Sequence, residues 1–271
     1  MSDMYANLPM LNCSLENSVL SLSLNNPDMR NALVEDVIES LVKNLARADQ
    51  DSNVRVVILK GEGKSFCAGG DIKAMRDNSG MFAGESFELK NRYHFGIQEI
   101  PRAIEKFQKP IIAQVHGAAI GAGCDLVAMC DLRFASEECK FGETFTKLSL
   151  VPGDGGPFFL TRAIGYTKAM EMYLTADLYS AHDMKDYGLL NNVFKSDELG
   201  EQVAKVALRI ARNAPGAIQL TKEALKQSAT SSLDQHLQLM SAFQGVAQRM
   251  TDHQRGIEAV LNKKEPTFEG N

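Results

Sequence analysis

Cysteine is sparse in this chain and its spacing forms no ligand set. Cys13, Cys67, Cys124, Cys130 and Cys139 make no CxxC pair and an odd total, which argues against a disulfide framework and fits a reducing compartment. No uninterrupted apolar run is long enough to span a bilayer. The opening segment, MSDMYANLPMLN, lacks both a basic stretch before an apolar core and an Arg-rich amphipathic pattern. A cytoplasmic protein without membrane attachment is therefore expected. Basic excess is missing too. A net charge of -5 gives no general attraction to nucleic acid, although a local basic patch can still meet an anionic ligand. Phosphate-loop and dinucleotide fingerprints are absent as well. Gly63-Lys64-Ser65 invites the first, but that pattern needs glycine where Ile58 stands, and Gly117, Gly121 and Gly123 have the wrong spacing for GxGxxG.

What is present suits a globular domain. A hydrophobic fraction of 44% with 23% charged residues is ordinary for one. At 271 residues the chain can bury a full core, as one domain or as a large domain with an appendage.

Two stretches repeat one design. PIIAQVHGAAIGAGCDLVAMCD (110–131) reads as a buried strand over 111–115, a glycine-rich turn, and a helix opening near Gly121. VRVVILKGEGKSFCAGGDIKAM (54–75) reads as a strand over 54–59, a loop, and a helix opening near Asp71. Helix starts carry backbone N–H groups with no partner inside the helix, and these can face a developing negative charge. Gly69, Gly70, Gly121, Ala122 and Gly123 keep both approaches open. Asp125 lies three positions after Ala122, on roughly the same helical face. Two such helix starts supply what an oxyanion hole for a carbonyl needs, and a carboxylate can share their pocket.

The segments SFCAGGDIKAM, VHGAAIGAGCDLVAMCDLRFAS and FGETFTKLSLVPGDGG resemble the enoyl-CoA hydratase/isomerase (crotonase) superfamily, and the resemblance runs from NPDMRNAL to the C-terminal helices. It implies an α/β fold, a crotonase-like spiral of β-β-α turns followed by a C-terminal helical trimerisation region. Residues 1–196 would form the core with the CoA and acyl site, and 197–271 a helical subdomain for oligomerisation. The partner would be an acyl-CoA thioester and the assembly a homotrimer or dimer of trimers. No separate cofactor and no metal are expected, since coenzyme A is part of the substrate.

The resemblance also implies site residues. Gly70 and Ala122 would supply the oxyanion N–H groups, and Ala68, Gly70, Asp71 and Ile72 would line the CoA. Arg30 is either a contact near the adenine or a solvated loop residue. Lys263 matches a family lysine that reaches the CoA phosphate, often from a neighbouring subunit, with a solvated terminal lysine as the alternative. Met75, Met81 and Phe82 would line the acyl pocket. Family hydratases use two glutamates. Asp125 occupies the first position, and the second falls on Phe145, which can line a substrate site but cannot transfer a proton. Glu143, two residues earlier, would share a strand face with it. Asp154 lies one place out of register with a catalytic aspartate of some family isomerases and dehalogenases. Its plainer reading is a turn residue bonded to its own backbone. Hydration or double-bond isomerisation of an enoyl-CoA follows. Hydrolase, decarboxylase and dehalogenase activities, or a non-catalytic CoA-binding homologue, remain alternatives.

Along the chain, SVLSLSL (18–24) alternates as a half-exposed strand, and Asn31 is expected to cap a helix from Ala32 to about Ala48. Residues 77–90 read as a mobile surface segment before one helix over 86–107. KFGETF suggests an edge strand, VPGDGG a tight loop into a helix over 157–164, and TKAMEMYLTA a second amphipathic helix. Helices are expected over 198–212, 216–229, 232–250 and 253–262. Strands alternating with helices predict a parallel sheet.

Overall fold

The computed structural model describes residue 5 and residues 8–271. Nine strands are seen among them: β1 (Leu11–Glu16), β2 (Val19–Leu24), β3 (Val56–Gly61), β4 (Ile111–Val115), β5 (Ala118–Ile120), β6 (Leu132–Ser136), β7 (Lys140–Gly142), β8 (Tyr179–Ser180) and β9 (Asn192–Phe194). Helices α1 (Glu35–Gln50), α2 (Ile72–Arg76), α3 (Ser86–Phe95), α4 (Glu99–Lys106) and α5 (Ala122–Met129) lie between the strands of the first half. They are followed by α6 (Gly156–Thr175), α7 (Ala181–Asp186), α8 (Leu199–Ala211), α9 (Pro215–Ser228), α10 (Leu233–Ala247) and α11 (Thr251–Leu261).

Six strands form one sheet in the order β1-β2-β3-β4-β6-β9, parallel except for the β1–β2 hairpin. A smaller sheet, β5-β7-β8, stands beside it. The apolar run of β3 follows from burial on both faces. Val57 and Leu59 point into the main core with α1, α4 and α5, while Val56 and Ile58 pack against Leu199, Val203 and Ala207 of α8. In β4 the same alternation sends Ile111, Ala113 and Val115 to the main core and Ile112 to α8. Helix α8 thus covers one face of the sheet, and the C-terminal helical region after it is α9–α11.

Several local expectations change. Helix α1 starts at Glu35, and Asn31 is not its cap. Asn31 instead sits in the left-handed region (φ 58°). From there its side chain accepts from the Asn26 N–H and donates to the carbonyls of Glu62, Ser65 and Phe66. It ties the loop before α1 to the loop after β3. The expected long helix over 86–107 is two helices, α3 and α4, divided at Gly96, whose φ/ψ of -114°/-106° is not helical. Within 77–90, Gly80–Phe82 forms a 3-10 turn with Met81 and Phe82 buried. Strand β7 ends at Gly142, and Thr144–Leu148 is another 3-10 turn. The two expected helices after VPGDGG run together as α6, bent at Gly165.

Candidate active site

The two glycine-rich turns meet side by side. Cys67 pairs with Ala119 as a parallel bridge, with Cys67 N–H donating to Ala118 O and Ile120 N–H to Cys67 O. Helix α5 then starts directly over Cys67, so close that a Cβ on Gly123 would lie 2.1 Å from the Cys67 carbonyl oxygen. A Cβ on Gly69 would lie 3.4 Å from the Ala122 nitrogen. Neither the Gly70 nor the Ala122 N–H donates to another described residue. Two unpaired donors therefore stand at neighbouring chain turns, Ala122 buried and Gly70 half-buried, whereas a buried N–H group is normally satisfied.

Apolar side chains wall this place. A Cβ on Gly70 would sit 2.6 Å from Met75 Cε and 3.5 Å from Phe82 Cζ. The ring of Phe145, half-buried, faces Gly121. Tyr93 meets Phe82 edge-on and lies against Gly153, and Gln98 Nε2 donates to the Gly153 carbonyl at 2.8 Å.

Next to the α5 turn, three carboxyl groups converge: Asp125 on α5, Glu143 just after β7, and Asp154 in the loop before α6. Asp125 and Glu143 are 0% exposed and Asp154 is 4% exposed. Asp125 Oδ1 accepts from the Tyr173 hydroxyl at 2.6 Å, and Asp154 Oδ1 accepts weakly from the Gly156 N–H at 3.4 Å. Asp125 Oδ2, Asp154 Oδ2 and both Glu143 oxygens are buried with no hydrogen-bond partner among the described residues outside the cluster itself. Within it, Asp125 bonds Asp154 and Glu143, and the Cys124 thiol bonds Glu143. Among the described residues, no lysine, arginine or histidine forms an ion pair with any of the three or is among the causes that move their pKa values.

Three buried acids without a cation cannot all be ionised. Burial, then the charges of Glu143 and Asp154, push the Asp125 carboxyl well above the usual range, with the Tyr173 hydrogen bond pulling the other way. Glu143 is pushed up to about 8, first by burial and further by the charge of Asp154, while the Cys124 thiol and Asp125 pull it back. Asp154 is raised by burial, against hydrogen bonds from Asp125 and the Gly156 N–H. The Tyr173 phenol is raised by burial and by the charge of Asp125. The cluster holds protons at neutral pH and can exchange them among its members.

Of the residues picked from sequence, Gly70, Ala122, Asp125, Glu143 and Phe145 come together here. Glu143 arrives by a different route, because the strand that would have set its face has already ended. Asp71 caps α2, accepting from the N–H groups of Lys73 and Ala74, and Ile72 beside it is 60% exposed. Ala68 N–H donates to the Arg30 carbonyl at 2.9 Å, which places these two segments together. The Arg30 and Lys263 side chains are exposed, and no hydrogen bond or ion pair ties Lys263 to the cluster. Asp154 joins the cluster although its position in the sequence reads as an ordinary turn. Tyr173 had no signal, lying 48 residues from Asp125 in a segment that reads only as amphipathic helix.

The family model for enoyl-CoA hydratase/isomerase matches residues 14–271 of the chain. Among curated proteins, a peroxisomal Delta(3,5)-Delta(2,4)-dienoyl-CoA isomerase of Arabidopsis thaliana is 34% identical, with 97% of each chain covered. A 2,3-dehydroadipyl-CoA hydratase of Escherichia coli is 33% identical, covering 95% of this chain and 97% of the relative. Among solved structures, an enoyl-CoA hydratase from Bacillus anthracis superposes with a TM-score of 0.90 at 31% identity, covering 97% of this chain and all of that one.

Proposed function

The chain belongs to the enoyl-CoA hydratase/isomerase family and is an enzyme that hydrates or isomerises enoyl-CoA thioesters; from that premise we propose that its own reaction is double-bond isomerisation through the Asp125–Glu143–Asp154 cluster. The observation that carries this reading is the cluster itself: three buried carboxyls that share protons and have no cation. Isomerisation needs a group that takes a proton from one carbon and a group that returns one to another, and it needs no water.

The thioester oxygen binds between the Gly70 and Ala122 N–H groups, whose lack of other acceptors supports this placement. At rest the charge lies on Asp154, which raises Asp125. The Asp125 proton passes along their hydrogen bond to Asp154, and Asp125, now ionised, removes a proton from the carbon alpha to the thioester. The electron pair of that C–H bond moves into the carbonyl, and the negative charge settles on the thioester oxygen. Losing one oxyanion donor of this kind typically costs about 3–4 kcal/mol. The enolate then collapses, the double bond moves into conjugation, and a protonated neighbour, Asp154, delivers its proton to the remote carbon. Protonated Glu143 keeps the net charge of the cluster low while Asp125 is ionised.

Met75, Phe82, Tyr93 and Phe145 would enclose the acyl chain, and Ala68, Asp71, Ile72 and Arg30 would lie along the CoA. Exposed Ile72 at the lip of the site supports that path. Lys263 would meet a CoA phosphate, and the region after the core would serve assembly as a homotrimer or dimer of trimers. The cytoplasm is the compartment that fits five cysteines with no CxxC pair and an odd total. Hydration is the second reading. It is favoured by the relatives named as hydratases and by Glu143, which stands beside Asp125 as a second acid.

Asp125→Asn tests the assignment of the base. A folded variant should lose about 100-fold or more in kcat on a 3-enoyl-CoA, the scale of a lost general base. A near-wild-type rate would remove Asp125 from the chemistry.

A further inference from the structure

Asp125 is held from both ends of one helix. At the start of α6, a Cβ on Gly156 would lie 1.7 Å from Asp125 Oδ1, so only glycine leaves room for the carboxyl. Near its end, the Tyr173 hydroxyl reaches the same oxygen at 2.6 Å. A straight helix would separate positions 156 and 173 by about 25 Å at 1.5 Å per residue. The bend at Gly165 (φ 79°, ψ 161°) brings both ends back to α5. Tyr173 is anchored besides: its carbonyl accepts from the Thr146 hydroxyl at 3.2 Å, in the 3-10 turn that follows Glu143. Its phenol therefore has a fixed aim.

The consequence lies in which oxygen is free. Oδ1 is occupied as the acceptor of the Tyr173 hydroxyl, whereas Oδ2 is buried and has no partner outside the acid cluster, where Asp154 and Glu143 are the groups that can exchange a proton with Asp125. We propose that Tyr173 is a positioning residue for the proton transfer, fixing Asp125 through Oδ1 so that Oδ2 is the atom that takes and gives the proton. This rests on the reading of Asp125 as the proton-transferring base. A phenol O–H donated to a carboxylate favours the ionised form, so Tyr173 pulls against the burial and neighbouring charges that raise Asp125 and helps it to release its proton. The groups that face Asp125 are Glu143 from the segment after β7, Asp154 from the loop before α6, Tyr173 from α6 and Cys124 from its own helix.

Tyr173→Phe keeps the ring and removes only the donor. With a 3-enoyl-CoA substrate, kcat should fall about 10-fold or more, as expected for a lost hydrogen bond to a charged group, with KM nearly unchanged. The acid limb of the kcat/KM profile should move to higher pH, because Asp125 without its donor ionises less readily. Replacing Tyr173 by 3-fluorotyrosine, a stronger donor in the same shape, should move that limb to lower pH. A folded Tyr173→Phe enzyme with unchanged kcat and an unmoved profile overturns the proposal, as does a loss of thermal stability with no movement of the limb. Asp125→Asn is measured beside it. If that variant stays active, both the base assignment and this proposal fall. If it is dead while Tyr173→Phe matches wild type, only the role of Tyr173 falls.

Discussion

Glu143 carries a protonated carboxyl at neutral pH, and that links the site to the stability of the fold. Its ordinary value of 4.5 is raised to about 8 by burial. The folded chain therefore binds a proton that the unfolded chain has released, and unfolding loses free energy as pH rises through this window. The contribution is complete below about 4.5 and gone above about 8. Thermal unfolding should show the melting temperature declining across that interval, and Glu143→Gln, neutral at every pH, should flatten the decline. A wild-type curve that instead rises from pH 5 to 8 would contradict a protonated Glu143. Single residues also show how much of the site was legible. Asp125 could be read because it sits one helical turn from a recognisable glycine-rich start. Asp154 could be read only through the family resemblance, one place out of register, and Tyr173 not at all, since nothing local distinguishes a helix tyrosine from one that a distant bend aims at a carboxylate.

Among the elements, α6 does the most to build the site, and its bend depends on Gly165. That residue is exposed, with nothing within 4 Å of the place a Cβ would take. Its φ of 79° with ψ of 161° lies in a region open essentially to glycine alone. Gly165→Ala should therefore cost about 1–3 kcal/mol through the backbone and not through packing. A denaturant titration that finds no loss would show that the bend tolerates a side chain. Sequence alone assigned helices to both halves, because each carries its own apolar pattern. It did not reveal that they form one bent helix whose two ends meet the same carboxylate. The sheet was easier to read. The runs in β3 and β4 are apolar because one face meets the main core and the other meets α8, and that double burial leaves few polar positions to blur the pattern. Strand β1 escaped notice because LNCSLE is half polar and mostly half-exposed.

At the scale of the whole molecule, α10 buries none of its residues, and Leu233, Leu237 and Val246 are 72%, 52% and 54% exposed. An apolar helix face left to solvent in this way calls for a partner surface, and sedimentation should find a trimer-based assembly. A stable monomer at micromolar concentration would contradict it. No helix among the described residues is long and apolar enough to cross a membrane. That a cluster of buried acids serves a reaction without water is tested most directly by one comparison on the wild-type enzyme. It is the ratio of kcat/KM for isomerisation of 3-enoyl- and 3,5-dienoyl-CoA to kcat/KM for hydration of crotonyl-CoA. Isomerisation should exceed hydration by at least about 100-fold, a barrier difference of about 2.7 kcal/mol. Hydration as fast as isomerisation, and lost in both Asp125→Asn and Glu143→Gln, would contradict it and make Glu143 the second acid of a hydratase.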